Sequence, residues 1–194
     1  MSDTGVIATT SRKRPKNRRE QILGHAYRLI AESGFNAVSL ADIAAASGIQ
    51  KSSVLHHFSS MNELLLGVLT MREEQDFEFY VESGEGAPSP DAASARARFT
   101  SVFRHNLERP EFVRIYAILS GESLAPGHPA HEYFAERTRL AGPELARSLA
   151  WKRNPELAAV ELLAFWEGLE LSYSHDPSID ANAVWENFCD RFFV

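Results

Sequence analysis

The sequence reads as an all-α chain on three grounds. Apolar residues recur three and four positions apart through most of its length, the spacing that lines one face of a helix. No segment alternates apolar and polar residues as a half-buried strand does, and no internal repeat is visible. The stretches rich in Gly and Pro, 83–90 and 121–129, fall between the periodic runs. At 194 residues with 44% hydrophobic content, the chain can bury a sizeable core, as one domain or two small ones.

Residues 1–14 are polar, basic and without period, and are expected to form a disordered arm. Over 15–33, Ile22, Leu23, Ala26, Leu29 and Ile30 mark one face of a helix that Gly34 is placed to end. Phe35 and Val38 then close a small core. Residues 39–58 read as two short helices about a tight turn at Ser47, Gly48 and Ile49. Ser39 can cap the first, with Asp42 three residues on in a capping-box arrangement, while Ile43 and Ala44 face inward. Gly48 sits where the turn favours a positive φ. Val54 and Phe58 anchor the second helix and leave Lys51, Ser52, Ser53, His56 and His57 on its polar positions. This is the helix-turn-helix layout, although an ordinary helical hairpin would share it.

A long helix is expected over about 61–81, with Leu64, Leu65, Val68, Leu69 and Phe79 inward. Past the loop at 83–90, helices are expected at 91–107, with Phe99, Val102 and Phe103 inward, and at 111–120, with Phe112, Ile115, Tyr116 and Leu119. Residues 131–152 read as a helix interrupted or kinked at Gly142 and Pro143, since proline lacks the amide and clashes with the preceding turn. A strongly apolar helix follows over 155–174, carrying Leu157, Val160, Leu162, Leu163, Phe165, Trp166, Leu169 and Leu171. The last helix, over 180–193, starts from Ser178 or Asp180 as cap and carries Val184, Trp185, Phe188, Phe192 and Phe193.

Charge is segregated along the chain. Residues 1–60 carry a net +4 and residues 61–194 a net −10, within an overall −6. Arg12, Lys13, Arg14, Lys16, Arg18 and Arg19 crowd the start. Such a run is commonly a solvated tail, but directly before a helix-turn-helix it can clamp phosphates or reach a minor groove. The pattern fits a basic reader on an acidic body that does not itself bind nucleic acid. Cys189 is the only cysteine, which excludes an intrachain disulfide and a cysteine-based metal site. No apolar run is long enough for a bilayer and none accompanies the basic N-terminus, so a cytoplasmic protein without membrane contact is expected.

An enzyme would show a nucleophile with its base, a phosphate-cradling Gly loop or paired carboxylates. Gly84-Glu85-Gly86 lacks the strand and lysine of a P-loop, and no catalytic residue or cofactor is expected. His128 and His131 beside Glu132 lack an evident full ligand set, so no metal is expected either.

Four stretches resemble the TetR family of one-component transcriptional regulators in order and spacing, over roughly residues 15–66. They are Ile30-Ala31-Glu32-Ser33-Gly34-Phe35, Asp42-Ile43-Ala44, Ser47-Gly48-Ile49, and Val54-Leu55-His56-His57-Phe58 ahead of Glu63-Leu64-Leu65. The run from Trp166 to Leu171, followed by Asp176-Pro177, is less closely similar to the family's dimer-forming helix. The resemblance implies an all-α subunit with an N-terminal helix-turn-helix DNA-binding domain, here 15–60, and a C-terminal helical effector-binding and dimerisation domain, here 61–194. It implies a homodimer on a palindromic double-stranded DNA operator. It also implies a repressor released by an unknown small apolar or amphipathic effector. Activation, or DNA binding without an effector, stay open as alternatives.

Two positions depart from the family. Leu55 stands where a phosphate-contacting tyrosine is usual, and Met61 where a lysine is common. The basic arm and helix amide ends are therefore expected to carry more of the phosphate anchoring. Gln50 also replaces a better helix cap.

Lys51, Ser52 and His56 are the candidates for base contacts, because early recognition-helix positions face base edges. Ser39, Ser53 and His57 are the phosphate candidates, and His57 reads equally as a packed histidine between helices. Gln50 and Arg18 complete the surface. Seventeen of the twenty aromatic residues lie beyond residue 60, and most must be core. Phe103, Tyr116, Glu122, Trp166 and Tyr173 are the candidates for an effector cavity. The last two helices hold more apolar residues than one small core needs. Leu162, Phe165, Leu169, Trp185, Phe188 and Phe192 are therefore the candidate dimer interface, a four-helix bundle with their symmetry mates.

Overall fold

The computed structural model describes residues 17–82, 89 and 91–194, and these form nine α-helices and one 3-10 turn. The arm expected at 1–14 and most of the loop expected at 83–90 lie outside the described residues, as do the side chains of 76–78 and 80–82. Local chemistry sets the first boundaries. Helix α1 (Arg18–Ser33) begins where the Asn17 side chain accepts the Glu20 amide at 3.0 Å. It ends at Gly34, whose φ of 82° and ψ of 160° belong to a region open essentially to glycine alone. After the turn Phe35–Ala37, α2 (Leu40–Ala46) starts from Ser39 with both bonds of the capping box made. Gly48, at φ 65°, redirects the chain into α3 (Lys51–His57).

Helix α4 (Met61–Glu82) opens on a reciprocal cap: Ser59 donates to the Glu63 carboxylate through its amide and hydroxyl, and Ser60 Oγ accepts the Glu63 amide. Gly67 lets α4 close on the reader, since a Cβ there would lie 3.1 Å from Leu23 Cδ2 and 3.3 Å from Phe58 Cε1. Then come α5 (Ala92–Leu107), α6 (Pro110–Glu122), α7 (His131–Ser148), α8 (Pro155–His175) and α9 (Ala181–Phe192), with Asp91, Asn154 and Asp180 as side-chain caps of α5, α8 and α9. The interruption expected at Gly142 and Pro143 does not occur. α7 runs through Pro143, which is exposed and so displaces no packed neighbour, and ends at Ser148 instead of 152.

Two apolar cores result. The first joins α1 to α4 and also takes Ile115 and Leu119 from α6 and Phe134 from α7, so the reader is seated on the base of the helices beyond it. The second is aromatic and lies among α5, α8, α9 and the end of α7. Here Phe103 stacks on Trp185 at 4.4 Å, and Trp185 Nε1 donates to Thr100 Oγ1 at 2.9 Å. Arg96 and Arg104 fasten α5 to Glu186 of α9. Cys189 is buried in this core, where desolvation pushes its thiol up to about 11, so it stays protonated and inert. No helix among the described residues is long and apolar enough to cross a membrane.

Candidate nucleic-acid interface

Helix α3 is held from one side only. Val54 and Phe58 have no exposed surface, and the Arg19 guanidinium lies 4.9 Å above the Phe58 ring. Lys51, Ser52, Ser53, Leu55 and His56 are consequently left facing solvent, with His57 half-buried and its ring edge-on to His56 at 5.5 Å. Arg18, Ile49, Ser52, Ser53, His56 and His57 line one shallow concavity of about 450 Å³. The structure thus brings Arg18 of α1 beside α3, while Lys51 and Leu55 lie outside this concavity. Gln50 makes no side-chain cap, as expected from its poor capping chemistry.

Ser39 is placed differently from the phosphate role expected for it. Its hydroxyl donates to Asp42 Oδ2 at 2.6 Å and accepts the Asp42 amide, so both its hydrogen-bonding functions serve the cap. Those bonds hold the Asp42 carboxyl below its usual range, and the ionised group repels a phosphate. Met61 is half-buried against the reader core.

The five effector candidates fall in three places. Phe103 is fully enclosed in the second core, and Tyr173 is half-buried at its margin. Trp166 and Tyr116 belong to a buried polar layer between the two cores. There Trp166 Nε1 and Asn106 Nδ2 both donate to Glu170 Oε1, at 2.6 and 2.8 Å. Asn106 Oδ1 has no hydrogen-bond partner. The buried Arg72 guanidinium lies 3.7 Å over Phe112 and 4.7 Å over Tyr116, whose hydroxyl accepts Arg137 Nε at 3.1 Å. Burial raises the Glu170 pKa, against the opposing effect of its two donors and Arg72.

Glu122 is elsewhere, at the foot of α6. Its Oε2 accepts the Phe35 amide at 3.2 Å and lies 3.7 Å from His128 Nε2. It therefore ties the reader to the helices beyond. Arg72, Asn106 and Glu170 were not among the sequence candidates. Asn106 and Glu170 carried a signal nonetheless, as polar residues on apolar stripes, one turn after Phe103 and Trp166.

The six dimer candidates differ in their burial within the subunit. Leu162 and Trp185 have no exposed surface within the single subunit, and Leu169 and Phe192 have 7% and 8%. Phe165 and Phe188 stack on each other at 3.9 Å. The second core consumes these side chains because it needs ring area from both helices. Leu157, Val160 and Leu171 of α8 and Val184 of α9 are the large apolar residues left exposed on these two helices.

Residues 22–68 match the family model described as bacterial regulatory proteins, tetR family. The HTH-type transcriptional repressor KstR2 of Mycolicibacterium smegmatis is 31% identical over 84 residues, a match spanning 43% of this chain and 41% of that protein. Among solved structures, a transcriptional regulator from Rhodococcus sp. Rha1 superposes with a TM-score of 0.74 at 20% identity, covering 91% of this chain and 94% of that one. A Pseudomonas aeruginosa PAO1 regulator gives 0.75 at 18% identity over 95% and 92%. A Saccharomonospora viridis regulator in complex with choline gives 0.68 at 20% identity over 90% and 94%. The reader's motifs and its family model agree that residues 22–68 are a DNA-binding region of the tetR family of bacterial regulatory proteins, and the chain shares its overall fold with these solved regulators.

Proposed function

We propose that this protein is a homodimeric DNA-binding regulator that reads a two-fold operator with α3 of each subunit and represses transcription until a small molecule releases it. The observation that carries the DNA-binding reading is the one-sided seating of α3, which leaves Lys51, Ser52 and His56 outward on a helix short enough to enter a major groove. Residues 15–60 act as reader and 61–194 as the regulatory and dimerisation part. Ser53, His57 and Arg18 serve phosphates from the concavity beside α3. The mate of the dimer covers Leu157, Val160, Leu171 and Val184.

Effector control is supported by the buried polar layer. Its unpartnered Asn106 oxygen and buried Glu170 carboxyl are what an amphipathic ligand would complete, with aromatic rings around them. The KstR2 repressor and the choline-complexed regulator are relatives in which repression and a small ligand are named. The test is selection of bound sites from a random duplex library with the whole protein. A palindromic site is expected, and Lys51→Ala should weaken binding to it by about 1–3 kcal/mol while relaxing one base position. Unchanged affinity and sequence preference in that variant would remove Lys51 from the reading surface.

A further inference from the structure

Leu55 lies outside the fully buried face of α3. On α3 the other large apolar residues, Val54 and Phe58, have no exposed surface, whereas Leu55 is 42% exposed. Ile49 and Met61 are half-buried against the reader core, whereas Leu55 stays exposed. It lies one helical turn beyond Lys51 and next to His56, on the solvent side of α3. It is also absent from the polar concavity formed with Arg18.

The chemistry of DNA narrows what such a side chain can meet. Leucine offers no donor for a phosphate oxygen and no partner for the polar atoms of a base edge. The apolar group that the major groove presents among those edges is the thymine 5-methyl. We propose that Leu55 is a specificity-determining residue that packs on a thymine 5-methyl group, fixing one thymine in each half-site. The proposal rests on the DNA-binding reading given above. Lys51 and Ser52, at the start of the helix, then read the polar edges beside that thymine.

The experiment uses the whole protein and an operator recovered from a random duplex library. Each thymine is replaced symmetrically by deoxyuridine, which removes the methyl and leaves pairing intact. Affinity is measured by fluorescence anisotropy for the parent and for Leu55→Ala, whose fold is checked by circular dichroism. One thymine position is expected at which deoxyuridine weakens the parent about fourfold per half-site, the worth of one buried methyl-sized group. Leu55→Ala should bind the unmodified site more weakly and lose nothing further at that position. If Leu55→Ala stays as sensitive as the parent at every thymine, or if the parent is insensitive throughout, the assignment is wrong. Failure to enrich any duplex sinks the DNA-binding reading itself, and this proposal with it.

Discussion

Replacing Gly34 by alanine tests how firmly the reader is fixed to the helices beyond it. Gly34 has φ 82° and ψ 160°, and forcing a residue with a Cβ into that region costs about 1–3 kcal/mol. The added Cβ would also lie 2.9 Å from Glu122 Oε1, inside any normal contact. The carboxylate must move, and its bond from the Phe35 amide, at 3.2 Å, is strained or lost. Hydrogen bonds to charged groups contribute about 1.5–3 kcal/mol, and part of this is recovered as Glu122 adjusts. A combined loss of about 3 kcal/mol is expected, or about 6–12 °C in Tm for a chain of this size.

Urea and thermal unfolding at fixed protein concentration would measure it, with Glu122→Ala and the double variant completing a cycle. Because Glu122→Ala removes the clashing oxygen but not the backbone strain, the double variant should lose less than the two single losses added. Operator affinity should fall in each variant as the reader loosens. A Gly34→Ala protein within about 0.5 kcal/mol of the parent would refute the reasoning, since that is the range of an ordinary surface change.

Val160→Glu should give folded monomers by sedimentation, whereas Leu162→Ala should lose about 2–5 kcal/mol of stability without such a shift in mass. Leu169→Glu, buried on the inner face, should unfold the subunit before it separates the dimer. Burial raises the Glu170 pKa in the folded state above its unfolded value, so its contribution is fully present below the unfolded value and is lost as pH rises through the folded one. Glu170→Gln keeps an acceptor for Trp166 and Asn106. It should therefore flatten that pH dependence and raise Tm at neutral pH, and an unchanged slope would discount the carboxyl. Deleting residues 1–14 removes Arg12, Lys13 and Arg14, and the slope of log K against log salt should become shallower by as much as about 2.7. An unaltered slope makes the arm a bystander.

What could be read from the sequence was whatever a few neighbouring residues decide. Ser39 with Asp42, Gly34, Gly48 and the inward pair Val54 and Phe58 act over one turn, and each stands as its residue type requires. Helix α8 could not be read that way. It is apolar nearly all round, so spacing alone could not separate the inner Leu162 and Leu169 from the outer Leu157, Val160 and Leu171. The contact of Glu122 was illegible for another reason: its partner amide, on Phe35, is 87 positions away.

That distance gives α6 its meaning. Tyr116 of this helix stands in the buried polar layer, under Arg72 and bonded by Arg137, while Glu122 holds the reader six residues further on. At 1.5 Å per residue the two are about 9 Å apart along one continuous helix. A ligand that re-pairs the polar layer must move Tyr116 or the cations against it. Since a helix passes such a shift along its axis, under the proposed effector control it would reach Ile115 and Leu119 in the reader core, and then the Phe35 bond and the close fit at Gly34. The effect on DNA would then come through the seat of α1 and not through α3 itself, whose own anchors, Val54 and Phe58, belong wholly to the reader.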